Sequence, residues 1–189
     1  MVEWLFVPAA YLIGSISSAI IICRLMSLPD PREQGSGNPG ATNVMRIGGK
    51  KAAAITLLGD MLKGLIPVYL AKASGLPTEL VSITGLAAFM GHLYPILFGF
   101  KGGKGVATSV GVLLGYSWLL GLAFMVTWFL VYKLGKISSL SALVASILSP
   151  VFAWFIAGNE AFVIASVIMM IFLLWRHKSN IQRLMAGEE

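Results

Sequence analysis

Three polar segments carry the groups that could do chemistry in this otherwise apolar chain. The first reads Arg32-Glu33-Gln34-Gly35-Ser36-Gly37-Asn38-Pro39-Gly40-Ala41-Thr42-Asn43-Val44-Met45-Arg46. Glycines such as Gly35, Gly37 and Gly40 tolerate positive φ and let backbone approach a ligand closely. Successive N–H groups in such a turn form an anion-binding nest. Ser36, Asn38, Thr42 and Asn43 are short hydrogen-bonding side chains, and Arg46 adds a fixed positive charge. A plain turn-rich connector would explain the glycines, but solvated lysine and glutamate would then be the ordinary polar residues. Phosphate binding suits the composition better.

The second segment reads Gly99-Phe100-Lys101-Gly102-Gly103-Lys104-Gly105-Val106-Ala107-Thr108-Ser109, and a helix is expected to begin directly after its glycines. A helix N-terminus offers free N–H groups and partial positive charge, so it is a ready anion site. Lys101 and Lys104 reinforce it, and Gly102, Gly103, Gly105 and Thr108 complete the candidate phosphate cradle. The nucleotide P-loop spacing is absent and no strand precedes the segment, which disfavours ATP. Ordinary interfacial lysines would account for the charges but not for the glycines around them.

The third segment, Arg176-His177-Lys178-Ser179-Asn180-Ile181-Gln182-Arg183, is expected to continue the last apolar helix. His177, Asn180 and the Arg183–Leu184 pair then share one face at i, i+3 and i+7. His177 is either an ordinary interfacial residue or an acid–base or substrate-orienting group. Asp60 and Lys63, at i and i+3, read as a mutual ion pair inside a span. His92 reads as a packing histidine, or one that props the loop after it. Two distant histidines and one cysteine, Cys23, make no metal cluster, and there is no G-x-S-x-G nucleophile elbow. Neither a metal nor a cofactor is expected.

These groups need elements to hold them. Of 189 residues, 57% are hydrophobic and only 12% charged, against about 25% charged in a soluble domain. A span takes about 20 apolar residues, and such runs recur at Trp4–Cys23, Ser82–Phe98, Ser138–Ala157 and Ala161–Trp175. The chain is therefore expected to be an all-α integral membrane protein forming a single polytopic domain over residues 1–189. Met1–Cys23 lacks a basic start and a small-residue cleavage site, so it is expected to be a retained first helix. Basic residues gather in alternate connections, which places those connections in the cytoplasm and the N-terminus outside. This topology gives about seven transmembrane helices, with the C-terminus cytoplasmic. Helix one covers about Trp4–Met26, a polar stretch Ser27–Lys51 follows, helix two covers about Ala52–Ala73 and helix three Glu79–Phe98. Gly105–Tyr132 must then cross twice in 28 residues, which predicts two short or tilted central helices turning near Tyr116–Ser117, or a re-entrant stretch and five spans. The net charge of +6 sits at membrane edges and makes no nucleic-acid face.

Taken together and in order, the segments resemble the signature motifs of the bacterial acyl-phosphate:glycerol-3-phosphate acyltransferases, the PlsY family. The matching runs are GSGNPGATN at Gly35–Asn43, KGGKGVAT at Lys101–Thr108 and HKSNIQRL at His177–Leu184, with Asp60–Gly64 and Gly91-His92 in support. The usual proline after Gly-Ser-Ile is Ser17 here, a departure that touches helix packing more than chemistry. The resemblance implies acyl transfer from a fatty acyl phosphate to the sn-1 hydroxyl of glycerol 3-phosphate, giving lysophosphatidic acid and inorganic phosphate. It also implies a monomer in the bacterial plasma membrane with its site at the cytoplasmic face. Ser36, Asn38, Thr42, Asn43, Arg46 and Lys104 would hold phosphates, joined by Arg183. His177 and Asn180 would orient or deprotonate the acceptor, with Ser36 and Lys104 in the catalytic set. Either His177 or a substrate phosphate would take the proton, and Glu189 resembles the family's structural tail acid. A small organic-phosphate transporter would need a polar relay through the membrane, which is missing beyond Asp60 and Lys63. An acyl-CoA-dependent transferase of the H-x-x-x-x-D type would need Asp where Leu97 and Gln182 stand.

Overall fold

The fold was obtained as a computed structural model describing residues 2–189. Among these residues every regular element is helical. Four helices are long and apolar enough to cross a membrane: α3 (Ala41–Ala73), α4 with its 3-10 turn (Thr78–Phe98), α6 (Trp118–Gly135) and α7 with its π-helical turn (Ser138–Ala157). Two bent pairs raise the number to six. These are α1 (Phe6–Gly14) with α2 (Ser18–Leu25), bent by 41°, and α8 (Glu160–Arg176) with α9 (Lys178–Ala186), bent by 60°.

The first span is therefore broken where one continuous helix was expected. Ile16 lies in the break, and Ser17 caps the resumed helix by accepting the Ile20 N–H. The polar stretch Ser27–Lys51, expected as connection only, turns helical at Ala41. Gly49, with φ of 75°, then kinks α3 between an interfacial arm and the span proper. The central turn falls at Ser117, as expected. It separates α5 (Val106–Tyr116), whose 11 residues are too short to span, from α6, whose 18 reach the length a span needs.

Close packing of the inner helices rests on small residues. A side chain on Gly14 would strike the Ala88 backbone, and one on Gly91 the Tyr11 carbonyl, so α1 and α4 meet backbone to backbone. Gly64 and Gly111 do the same for α3 and α5. This is how membrane helices associate when lipid offers no hydrophobic driving force between them. Buried hydroxyls return their hydrogens to the helix, as Thr84 does to the Leu80 carbonyl and Ser166 to that of Phe162, because no water is present at that depth. Tyr116 stacks on Phe162 and donates to the Ser82 carbonyl at 2.7 Å. Large apolar residues such as Leu134, Phe155 and Trp175 face outward instead, which is where a bilayer would meet them.

Candidate active site

The three polar segments converge on one cavity of about 970 Å³. It is bordered by Gly35, Ser36, Asn38, Gly40, Thr42, Asn43 and Arg46 from the first segment, by Lys104 and Gly105 from the second, and by His177, Asn180 and Arg183 from the third. Four helix starts border it as well. Gly40, Gly105, Ile137 and His177 precede α3, α5, α7 and α9, and none of these four supplies a side-chain cap. Uncapped first turns leave N–H groups without intrahelical partners and carry partial positive charge. Arg46, Lys104, Lys136 and Arg183 line the cavity too, so its electrostatics favour an anion.

Local hydrogen bonds fix each segment. The Asn43 amide is buried and fully engaged: its nitrogen donates to the carbonyls of Pro31 and Gln34 at 2.8 and 2.9 Å, and its oxygen accepts the Ser36 N–H at 2.9 Å. Asn43 thus holds the first loop in shape from beneath. Asp30 and Arg32 add a bidentate pair at the loop's start, and that contact keeps the Asp30 carboxyl below its usual range. The second loop is held from two sides. Arg176 donates to the carbonyls of Gly103 and Gly102 at 3.1 and 2.7 Å, while the Gly103 N–H donates to the His92 carbonyl.

The third segment does not simply continue its helix. The chain bends at His177, and α9 folds Asn180 and Arg183 over the cavity. The His177 Nδ1 lies 2.8 Å from the Leu173 carbonyl. A carbonyl only accepts, so the proton sits on Nδ1, leaving Nε2 with a free lone pair. Burial, above all, holds His177 down at about 4, with the Lys104 and Arg176 cations adding to the effect. The ring is therefore neutral near pH 7. Lys104 donates to Asn180 Oδ1, and the Asn180 amide nitrogen donates to Glu189. Burial and then the Arg183 guanidinium push the Lys104 ammonium below its ordinary range.

Not every expected residue reaches the cavity wall. Gly37 and Lys101 lie apart from it, and Lys101 is exposed. Gly102 and Gly103 are buried behind the wall against His92 and Arg176, and Thr108 is buried with its hydroxyl on the Asp60 carbonyl at 2.9 Å. Asp60, His92, Ser139 and Glu189 do border the cavity and were not expected among its site residues. The Glu189 carboxyl is raised by burial, yet its polar neighbours Ser139, Arg183 and Asn180, the last two hydrogen-bonded to it, outweigh this and hold it at about 2.

Much of the remaining lining is apolar. Met61 of α3, Val110 of α5, and Phe124, Trp128 and Phe129 of α6 line the cavity as well. A headgroup-sized anion would occupy only part of this volume, since ligand pockets run about 300–1,000 Å³ for whole drug-sized molecules.

Comparison with known proteins agrees over the full chain. The glycerol-3-phosphate acyltransferase family profile matches residues 4–187. The glycerol-3-phosphate acyltransferase of Methylococcus capsulatus is 56% identical over 188 residues, covering 100% of this chain and 95% of the relative. That of Hydrogenovibrio crunogenus is 57% identical, covering 100% and 90%. The crystal structure of PlsY (YgiH), an integral membrane glycerol 3-phosphate acyltransferase, in its glycerol 3-phosphate form superposes with a TM-score of 0.95 at 37% identity, covering 100% of this chain and 94% of that one. Its lysophosphatidic acid form gives 0.93 at 36% identity.

Proposed function

Because this chain belongs to the glycerol-3-phosphate acyltransferase family, we propose that its cavity transfers an acyl group from a fatty acyl phosphate to the sn-1 hydroxyl of glycerol 3-phosphate, releasing lysophosphatidic acid and inorganic phosphate. The observation that carries this reading is the joining of two environments in one cavity. Four uncapped helix starts and four cations line it together with aromatic and aliphatic side chains of α3, α5 and α6. Two phosphates and one alkyl chain need both kinds of lining. The chain gains about 0.8 kcal/mol per buried CH₂, enough to hold the donor while the charged part orients its head.

An acyl phosphate is already an activated mixed anhydride, so alignment and charge neutralisation are the main requirements. The acceptor hydroxyl oxygen attacks the acyl carbonyl carbon, the carbonyl–phosphate C–O bond breaks, and phosphate leaves. Lys104 and the start of α5 neutralise the leaving phosphate, while Ser36, Arg46 and the start of α3 hold the second one. His177 accepts a hydrogen bond from the hydroxyl at Nε2 and orients it. A ring held at about 4 is a weak base, so the proton ends on the departing phosphate. The protein acts as a monomer in the bacterial plasma membrane, with the cavity at the cytoplasmic face.

The donor is the part most open to test. Purified protein with glycerol 3-phosphate should turn over palmitoyl phosphate and not palmitoyl-CoA. Turnover with the thioester alone would overturn the donor assignment.

A further inference from the structure

Beneath the second loop lies a buried ionisable cluster that the proposed reaction leaves unused. Asp60 of α3 and His92 of α4 are 2% and 6% exposed, and both border the cavity. Asp60 pairs with Lys63 at 2.9 Å, and the Lys63 ammonium also donates to the Ile16 carbonyl at 2.7 Å, in the break of the first span. His92 Nδ1 stands 3.8 Å from Asp60 Oδ1. Apart from the Lys63 ion pair, neither atom has a hydrogen-bond partner among the described residues.

The other side of His92 meets the loop. The Gly103 N–H donates to the His92 carbonyl at 3.2 Å. A methyl group built on Gly103 would strike the imidazole Nε2, and one on Gly102 would strike the His92 carbonyl. The two glycines therefore lie flat on His92, clamped from the opposite side by Arg176. Lys104 follows directly, and α5 starts two residues later. Ionisable groups inside a span are costly, and apolar packing would serve stability alone at least as well. A cluster that touches both the cavity and the loop has another use.

We propose that Asp60 and His92 are positioning residues for the second loop. The carboxylate, 3.8 Å from Nδ1 and not hydrogen-bonded to it, acts on the imidazole through its charge, and the imidazole with its own carbonyl holds Gly102 and Gly103 so that Lys104 and the start of α5 face the phosphate. This rests on the acyl-transfer reading above for its kinetic consequence but not for its structural one.

The test uses full-length protein in detergent. His92→Ala should raise KM for at least one of the two phosphate substrates about tenfold while kcat changes less than about threefold. His92→Asn, which keeps an N–H donor near the Nδ1 position, should recover most of that loss. The charge-balanced Asp60→Asn/Lys63→Met variant removes both partners of the ion pair together, so it should fold and still show the raised KM. If it does not fold, the two His92 variants, which leave the pair intact, decide. Wild-type KM values in His92→Ala, or equal impairment of His92→Asn and His92→Ala, would overturn the proposal. Amide exchange supplies a readout that needs no turnover: exchange across Gly99–Gly105 should rise in His92→Ala and stay near wild type in His92→Asn. Unchanged exchange in both overturns the positioning role. Raised exchange in an enzyme that never turns over the acyl phosphate would sustain it and sink the reaction instead.

Discussion

The Lys104 ammonium donates to the Asn180 amide oxygen, joining residues 76 positions apart and tying the loop before α5 to the helix that folds over the cavity. The same amide donates to Glu189 at 2.5 Å, and Glu189 accepts from Arg183 at 2.6 Å. Asn180 is thus held by partners on both sides, and it in turn fixes where the Lys104 charge points. Cation and amide form one unit.

Residues that act as a unit are not additive. Lys104→Ala and Asn180→Ala should each lower kcat/KM by about 10²–10³-fold, the range for removing a preorganised charge-stabilising donor. The double variant should be only slightly worse than either, and a double-mutant cycle on purified protein reads the coupling. Full additivity would mean that the two act separately.

Stability should fall on acidification, and the sign follows from two groups. His177 is held at about 4 in the folded protein, below its ordinary 6.5, so between those values the unfolded chain binds a proton that the folded one does not. Its contribution is lost as pH falls from about 6.5 towards 4. Glu189, held at about 2 against an ordinary 4.5, loses its contribution at lower pH still. Melting temperature in detergent should drop between about pH 7 and pH 5, and His177→Gln should flatten that drop.

Asn43 and Asn38 should separate support from binding. Asn43→Ala strands the Ser36 N–H and the carbonyls of Pro31 and Gln34, at a cost of about 1–3 kcal/mol visible in thermal melts. Asn38 is half-buried at the cavity, so Asn38→Ala should change KM and leave the melting temperature nearly unmoved.

The α3–α5 contact should be intolerant of any added carbon. A Cβ at Gly111 would meet the Met61 carbonyl and backbone, so Gly111→Ala should destabilise by about 1–3 kcal/mol, the usual cost of overpacking. Lower melting temperature with activity recovering on cooling is the expected pattern.

How much of this was readable in the chain follows from the physics of each part. The glycine-rich loops stood out because backbone approach to an anion demands residues such as Gly35, Gly40 and Gly105, whatever surrounds them. The turn at Ser117 was readable because 28 residues are too few for two ordinary crossings. The break at His177 was not, since the sequence through it keeps a helical period and bending depends on what α9 packs against. The arm Ala41–Gly48 was hidden because a glycine-rich start reads as loop until tertiary contacts stabilise the helix. Asp60 and His92 are 32 positions apart on separate helices, so only packing reveals that they share a wall of the cavity. Asn43 lines the cavity as the sequence suggests, but a buried amide bonded to its own loop has the same signature in sequence as one aimed at a phosphate, so its loop-holding bonds show only in the fold.

The most direct measurement is the product balance of the purified protein supplied with palmitoyl phosphate and glycerol 3-phosphate, with Lys104→Ala as the paired control. Inorganic phosphate and lysophosphatidic acid should appear one for one, and both should fall together in the control. Phosphate release without lysophosphatidic acid, or equal turnover in Lys104→Ala, would contradict the proposed reaction.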